Sequence, residues 1–93
     1  MHMKDSELQE EKLLLLALEE RKMNAFMRLY KYYGEDLLIF AYTYLQDPAL
    51  AIETVDTFFE KLWSEAKFTD IHPPIYKFLV EQIREICEQK SIC

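Results

Sequence analysis

Apolar side chains in this chain recur at spacings of three and four residues, and no segment alternates them in twos. Side chains return to the same face of a helix about every 3.6 residues and to the same face of a strand every second residue, so this spacing predicts helices and excludes a sheet. Ala25, Phe26, Leu29, Tyr30, Tyr33, Leu37, Phe40, Ala41, Tyr44 and Leu45 mark one long stripe. Ala51, Val55, Phe58, Phe59, Leu62 and Ala66 mark a second, and Ile75, Phe78, Leu79, Ile83, Ile86 and Cys87 a third. Ahead of them, residues 6–22 are rich in Leu, Glu, Lys and Ala, all strong helix formers. The expected fold is all-α, a compact bundle of about four helices.

Punctuation places the boundaries. Ser6 followed by Gln9 is a capping-box start for the first helix, and residues 1–5 read as a disordered leader or expression scar. Gly34 is where the long second helix would bend. Asp47-Pro48 reads as an N-cap with proline in the first turn. A short polar connection over residues 69–72 leads to Pro73-Pro74, read as another helix opening. With 93 residues, the chain suffices for one core, so a single domain over 1–93 is expected.

Composition narrows the function. Eleven basic and 17 acidic residues give a net charge of −6, which opposes a general electrostatic grip on nucleic acid or an anionic membrane. One glycine in the whole chain removes the P-loop and the dinucleotide fingerprint, which need two and three. The longest apolar run, residues 13–18, is far short of the ~20 needed to cross a bilayer. Cys87 and Cys93 are expected as reduced thiols, and the protein as soluble and cytoplasmic, with no membrane association.

Little here could do bond chemistry. His2 lies in the leader and His72 in a connection, and no His or Cys spacing supplies a ligand set for zinc or di-iron. Cys87 has Glu85 and Glu88 as neighbours, which would raise rather than lower its pKa. Neither an enzyme nor a cofactor is expected. The aromatic supply (Tyr30, Tyr32, Tyr33, Tyr42, Tyr44, Trp63) admits two readings. One is core plus half-buried phenol tips; the other is a platform for single-stranded bases, with Arg28, Lys31 and Lys77 supplying charge.

The ordered set Ala25-Phe26, Leu29-Tyr30, Tyr33, Leu38, Phe40-Ala41, Leu45, Asp47-Pro48, Ala51, Glu53, Val55, Phe59 and Leu62-Trp63 resembles region 2 of bacterial RNA polymerase sigma factors of the extracytoplasmic-function group. The family pattern runs AF-x-x-LY-x-x-YY, L-x-x-FA, D-P-x-x-A and V-Q-E-x-F-x-x-LW. Phe78-Leu79, Arg84 and Cys87 continue it where the family has W-L-Y-x-I-A-R-N-x-C. The resemblance spans about residues 8–90. It implies a transcription initiation module whose helix after the Asp-Pro turn binds the β′ clamp helices of the polymerase core. The following connection and last helix would contact minus-ten promoter DNA.

Carried over by position, the resemblance assigns polymerase binding to Glu53, Asp56, Glu60 and Lys61, with Asp56 and Thr57 replacing the family's Gln and Glu. It assigns DNA binding to Trp63, Lys77, Arg84 and Lys90. The last helix departs from the family in balancing Lys77, Arg84 and Lys90 with Glu81, Glu85 and Glu88. Nothing in the 93 residues corresponds to the family's region 4, so an autonomous promoter-recognition factor is not expected. The alternative expectation is a degenerate sigma-like interaction module, without DNA binding, that meets polymerase, an anti-sigma protein or itself as a homodimer.

Overall fold

The computed structural model describes residues 4–91. Four α-helices follow in order: α1 (Asp5–Glu19), α2 (Met23–Leu45), α3 (Pro48–Glu65) and α4 (Ile75–Ser91), with a single 3₁₀ turn at Phe68–Asp70 between the last two. The fold is all-α, and no strand occurs among the described residues. No helix among them is long and apolar enough to cross a membrane.

The stripes become the core. Leu29, Leu37, Ala41, Ala51, Phe59, Leu79, Ile83 and Cys87 are fully or almost fully buried, with Leu18 joining from α1. Helices α2 and α3 run antiparallel through the two-residue corner at Gln46 and Asp47. The start of α2 therefore meets the end of α3, with the Phe26 ring 4.7 Å from Trp63 and Tyr30 4.8 Å from Phe59. Asp47 caps α3 as its sequence predicts, accepting a hydrogen bond from the Leu50 N–H at 3.2 Å, and Pro48 holds the first turn.

Three boundaries differ from the sequence reading. Helix α1 starts at Asp5 with Lys4 as N-cap, and no side chain caps it, so Ser6 lies inside the helix and Lys4 and Asp5 are not leader. Residues 1–3, including His2, and Cys93 lie outside the described residues. Helix α1 also ends earlier than expected. The Arg21 N–H donates to the Leu18 carbonyl (2.9 Å) and the Lys22 N–H to the Ala17 carbonyl (3.1 Å), the two bonds of a Schellman cap. Arg21 takes the left-handed position (φ 58°) that usually belongs to glycine. Helix α2 runs unbroken through Gly34, the single long helix that its stripe predicts. Helix α4 begins just after the two prolines rather than on them.

The connection between α3 and α4 is not simply polar. Phe68 and Ile71 are buried in it, and three charged side chains hold it. Glu19 accepts from the Phe68 N–H (2.8 Å) and the Thr69 N–H (3.4 Å). Glu11 accepts from the Ile75 N–H (2.7 Å), supplying the cap and negative charge that the α4 N-terminus favours. Arg21 donates to the Trp63 carbonyl (2.8 Å) and the Ala66 carbonyl (2.9 Å), its guanidinium lying 5.0 Å from the Phe68 ring. These ties offset the cost of a non-glycine residue at positive φ, which is on the order of 1 kcal/mol or more.

Arg21→Ala keeps the backbone penalty and removes the ties. It should lower stability by about 1–2 kcal/mol, read as a lower urea midpoint at unchanged slope, and Arg21→Gly should lose less because glycine relieves the φ strain. A second prediction concerns Tyr33, 9% exposed. Burial, then the nearby Glu11 carboxylate and Tyr32, push its phenol up from 10.0 to about 12. The unfolded phenol ionises first, so between pH 10 and about 12 the unfolded chain binds fewer protons and stability falls. The loss should reach roughly 2–3 kcal/mol at most. Tyr33→Phe should flatten that part of the stability–pH curve in urea titrations.

Candidate functional site

Helix α3 carries the candidate site because its two faces are so differently made. Ala51, Thr54, Val55, Phe58, Phe59 and Leu62 are buried on one side. Helical spacing then turns Glu53, Asp56 and Glu60, at i, i+3 and i+7, outward together, and all three are exposed. This acidic stripe unites three of the four residues assigned to polymerase binding. Neighbouring like charges on a helix repel, at a few tenths of a kcal/mol per pair, so the stripe costs the isolated fold a little stability. Asp56 is tied to the neighbouring helix: the Tyr30 hydroxyl donates to its Oδ1 at 3.0 Å. That bond, then burial and the carboxylate charge, raise the Tyr30 phenol above its ordinary range.

The fourth residue, Lys61, turns toward α4. It lines a groove of about 570 Å³ whose walls include Phe58, Phe78, Ile86 and Lys90.

The four residues assigned to DNA do not form one patch. The half-buried Trp63 faces α2, its ring tilted by 42° against that of Phe26, with the Arg21 guanidinium 5.7 Å from its ring centroid. Lys90 belongs to the α3–α4 groove. Lys77 and Arg84, two turns apart, share the exposed strip of α4 with Glu81 and Glu88, and the Arg84 Nε lies 4.0 Å from Glu88. Three separate surfaces thus hold the four side chains, and carboxylates accompany the basic pair.

Cys87 is fully buried, and burial raises its thiol pKa while Lys90 pulls the other way. The direction matches the sequence expectation, but the cause is desolvation rather than Glu85 and Glu88. His72 is exposed. No group of three or more His, Cys, Asp and Glu side chains that could hold a metal gathers among the described residues.

A feature the sequence reading did not single out lies beside the acidic stripe. A groove of about 740 Å³ runs between α2 and α3, lined by Met27, Tyr30, Lys31, Leu38, Ile52 and Asp56. Met27 and Ile52 are 60% and 50% exposed. Their signal in the sequence is that they are apolar yet off the stripes. Gly34 forms part of the same groove, mid-helix and without positive φ. A methyl there would meet only the Tyr30 ring, at 3.7 Å, an ordinary contact.

Comparison with protein-family models, with characterised proteins and with solved structures finds no match to this chain.

Because glycine destabilises a helix interior and an alanine could occupy the space, Gly34→Ala should stabilise the fold by about 0.5–1 kcal/mol, measured by chemical denaturation.

Proposed function

We propose that this chain is a non-enzymatic docking module of the sigma region-2 type, which binds the RNA polymerase core through the acidic face of α3. The observation that carries the reading is the presentation of Glu53, Asp56 and Glu60 on one exposed stripe of the helix that opens at the Asp47-Pro48 cap. In sigma factors the helix after that turn meets the clamp helices of the β′ subunit. A row of carboxylates suits a basic partner surface, steering the encounter and fixing its register. The order of elements also agrees with the resemblance: a long helix, an Asp-Pro corner, a second long helix, a short connection and a last helix.

A second reading, an interaction module without promoter contact, is favoured by the separation of Trp63, Lys77, Arg84 and Lys90 over three surfaces. Release of counterions from DNA needs several cations along one path, and on α4 glutamates interrupt that path. An anti-sigma protein is the alternative partner for the same acidic stripe. Minus-ten DNA binding therefore belongs to the proposal as its weaker half, and cytoplasmic placement follows from the polymerase reading.

Titration with an isolated β′ clamp-helix fragment tests the docking. Saturable binding is expected, weakened about tenfold or more by Glu53→Lys or Asp56→Lys. Absence of saturation, or binding that neither reversal changes, would overturn it. Titration of single-stranded minus-ten DNA separates the two readings: binding lost in Lys77→Glu and Arg84→Glu supports promoter contact, and no binding leaves the interaction module.

A further inference from the structure

The groove between α2 and α3 has apolar walls, an α2 rim with two cations and one carboxylate, and an acidic α3 rim. Met27, Tyr30, Leu38 and Ile52 supply the walls. On the α2 side stand Arg28 and Lys31, with Glu35 one turn beyond; on the α3 side stands Asp56, backed by Glu53 and Glu60. Neither Arg28 nor Lys31 makes an ion pair among the described residues. Both rims border the same groove, and although Asp56 accepts from the Tyr30 hydroxyl, it too has no ion-pair partner among the described residues.

We infer that this face pairs with a second copy of the same chain about a two-fold axis. In such an isologous contact each rim lies over the opposite rim of its partner, so that Lys31 of each copy faces Asp56 of the other. Charge selects this occupant. A partner helix with uniformly basic flanks would satisfy Asp56 and meet repulsion from Arg28 and Lys31. A uniformly acidic one would do the reverse. A surface carrying one basic and one acidic rim in reversed order satisfies both, and a rotated copy of this groove is such a surface. Met27 and Ile52, both largely exposed in the single chain, would form the apolar centre of the contact and be covered together with the Tyr30 ring. This pairing does not rest on the polymerase reading, and its test contains no polymerase.

Light scattering on size-separated protein reads the mass directly. The full chain is expected to move, with rising concentration, from 11.2 kDa toward twice that mass. Ile52→Glu should abolish the heavier species. Lys31→Glu and Asp56→Lys should each raise the dimer dissociation constant about tenfold or more, because each places like charges opposite one another twice. Mixing these two variants should restore dimer, since the two reversed charges then attract each other on one side of the axis while the native pair survives on the other. The three substituted positions are exposed or line an open groove, and unchanged helical circular dichroism confirms that each variant folds. A chain that stays at the monomer mass at millimolar concentration would overturn the inference. So would a dimer indifferent to Ile52→Glu, or single reversals that dissociate without rescue on mixing.

Discussion

Contact between α2 and α3 across Phe59 is the constraint on which the rest of the molecule depends. The Phe59 ring lies 4.8 Å from Tyr30, 5.5 Å from Phe58 and 6.2 Å from Phe26, and is almost wholly buried. Aromatic pairs at such separations contribute packing beyond the area they bury. Because the two helices are joined by only two residues, their antiparallel register is set at the Asp47 corner and held at Phe59. That register decides which residues of α3 face outward as an acidic row and which of α2 border the groove. Helices α1 and α4 cover the opposite side, where Leu18, Leu79 and Ile83 complete the core.

The helical stripes and the Asp47-Pro48 cap were legible because they depend on local rules of spacing and hydrogen bonding. The end of α1 was not. Its cap uses Arg21 in a conformation that sequence rules reserve for glycine, and the reason lies some forty residues away in the carbonyls of Trp63 and Ala66. The same distance hides the roles of Glu11 and Glu19, which look like ordinary helix-surface carboxylates until α4 and the Phe68 turn come to meet them. Ser6 shows the converse. It satisfies a local capping pattern, yet α1 extends past it to Asp5.

The candidate site divides along the same line. Glu53, Asp56 and Glu60 were predictable as neighbours because all three sit on one helix, where spacing alone fixes the face. On α4 the same spacing puts Lys77 and Arg84 on one face and turns Lys90 off it, whereas whether Trp63 of α3 meets any of them depends on packing that no spacing rule contains. Trp63 is drawn toward α2 by Phe26 and Arg21, away from α4. The groove beside the acidic stripe was hidden for a further reason: Met27 and Ile52 break the apolar pattern instead of forming one, and become a surface only when α2 and α3 lie side by side.

Trp63 gives the molecule a built-in optical probe. It is the sole tryptophan, and its surroundings at the α2–α3 end are the Phe26 ring and the Arg21 guanidinium. Its emission is therefore sensitive to one corner, where the end of α1, the start of α2 and the end of α3 converge. Helical circular dichroism averages over all four helices. Should that corner open before the bundle as a whole, the two signals would part company during unfolding, and the loosest joint of the fold would be visible without any added label.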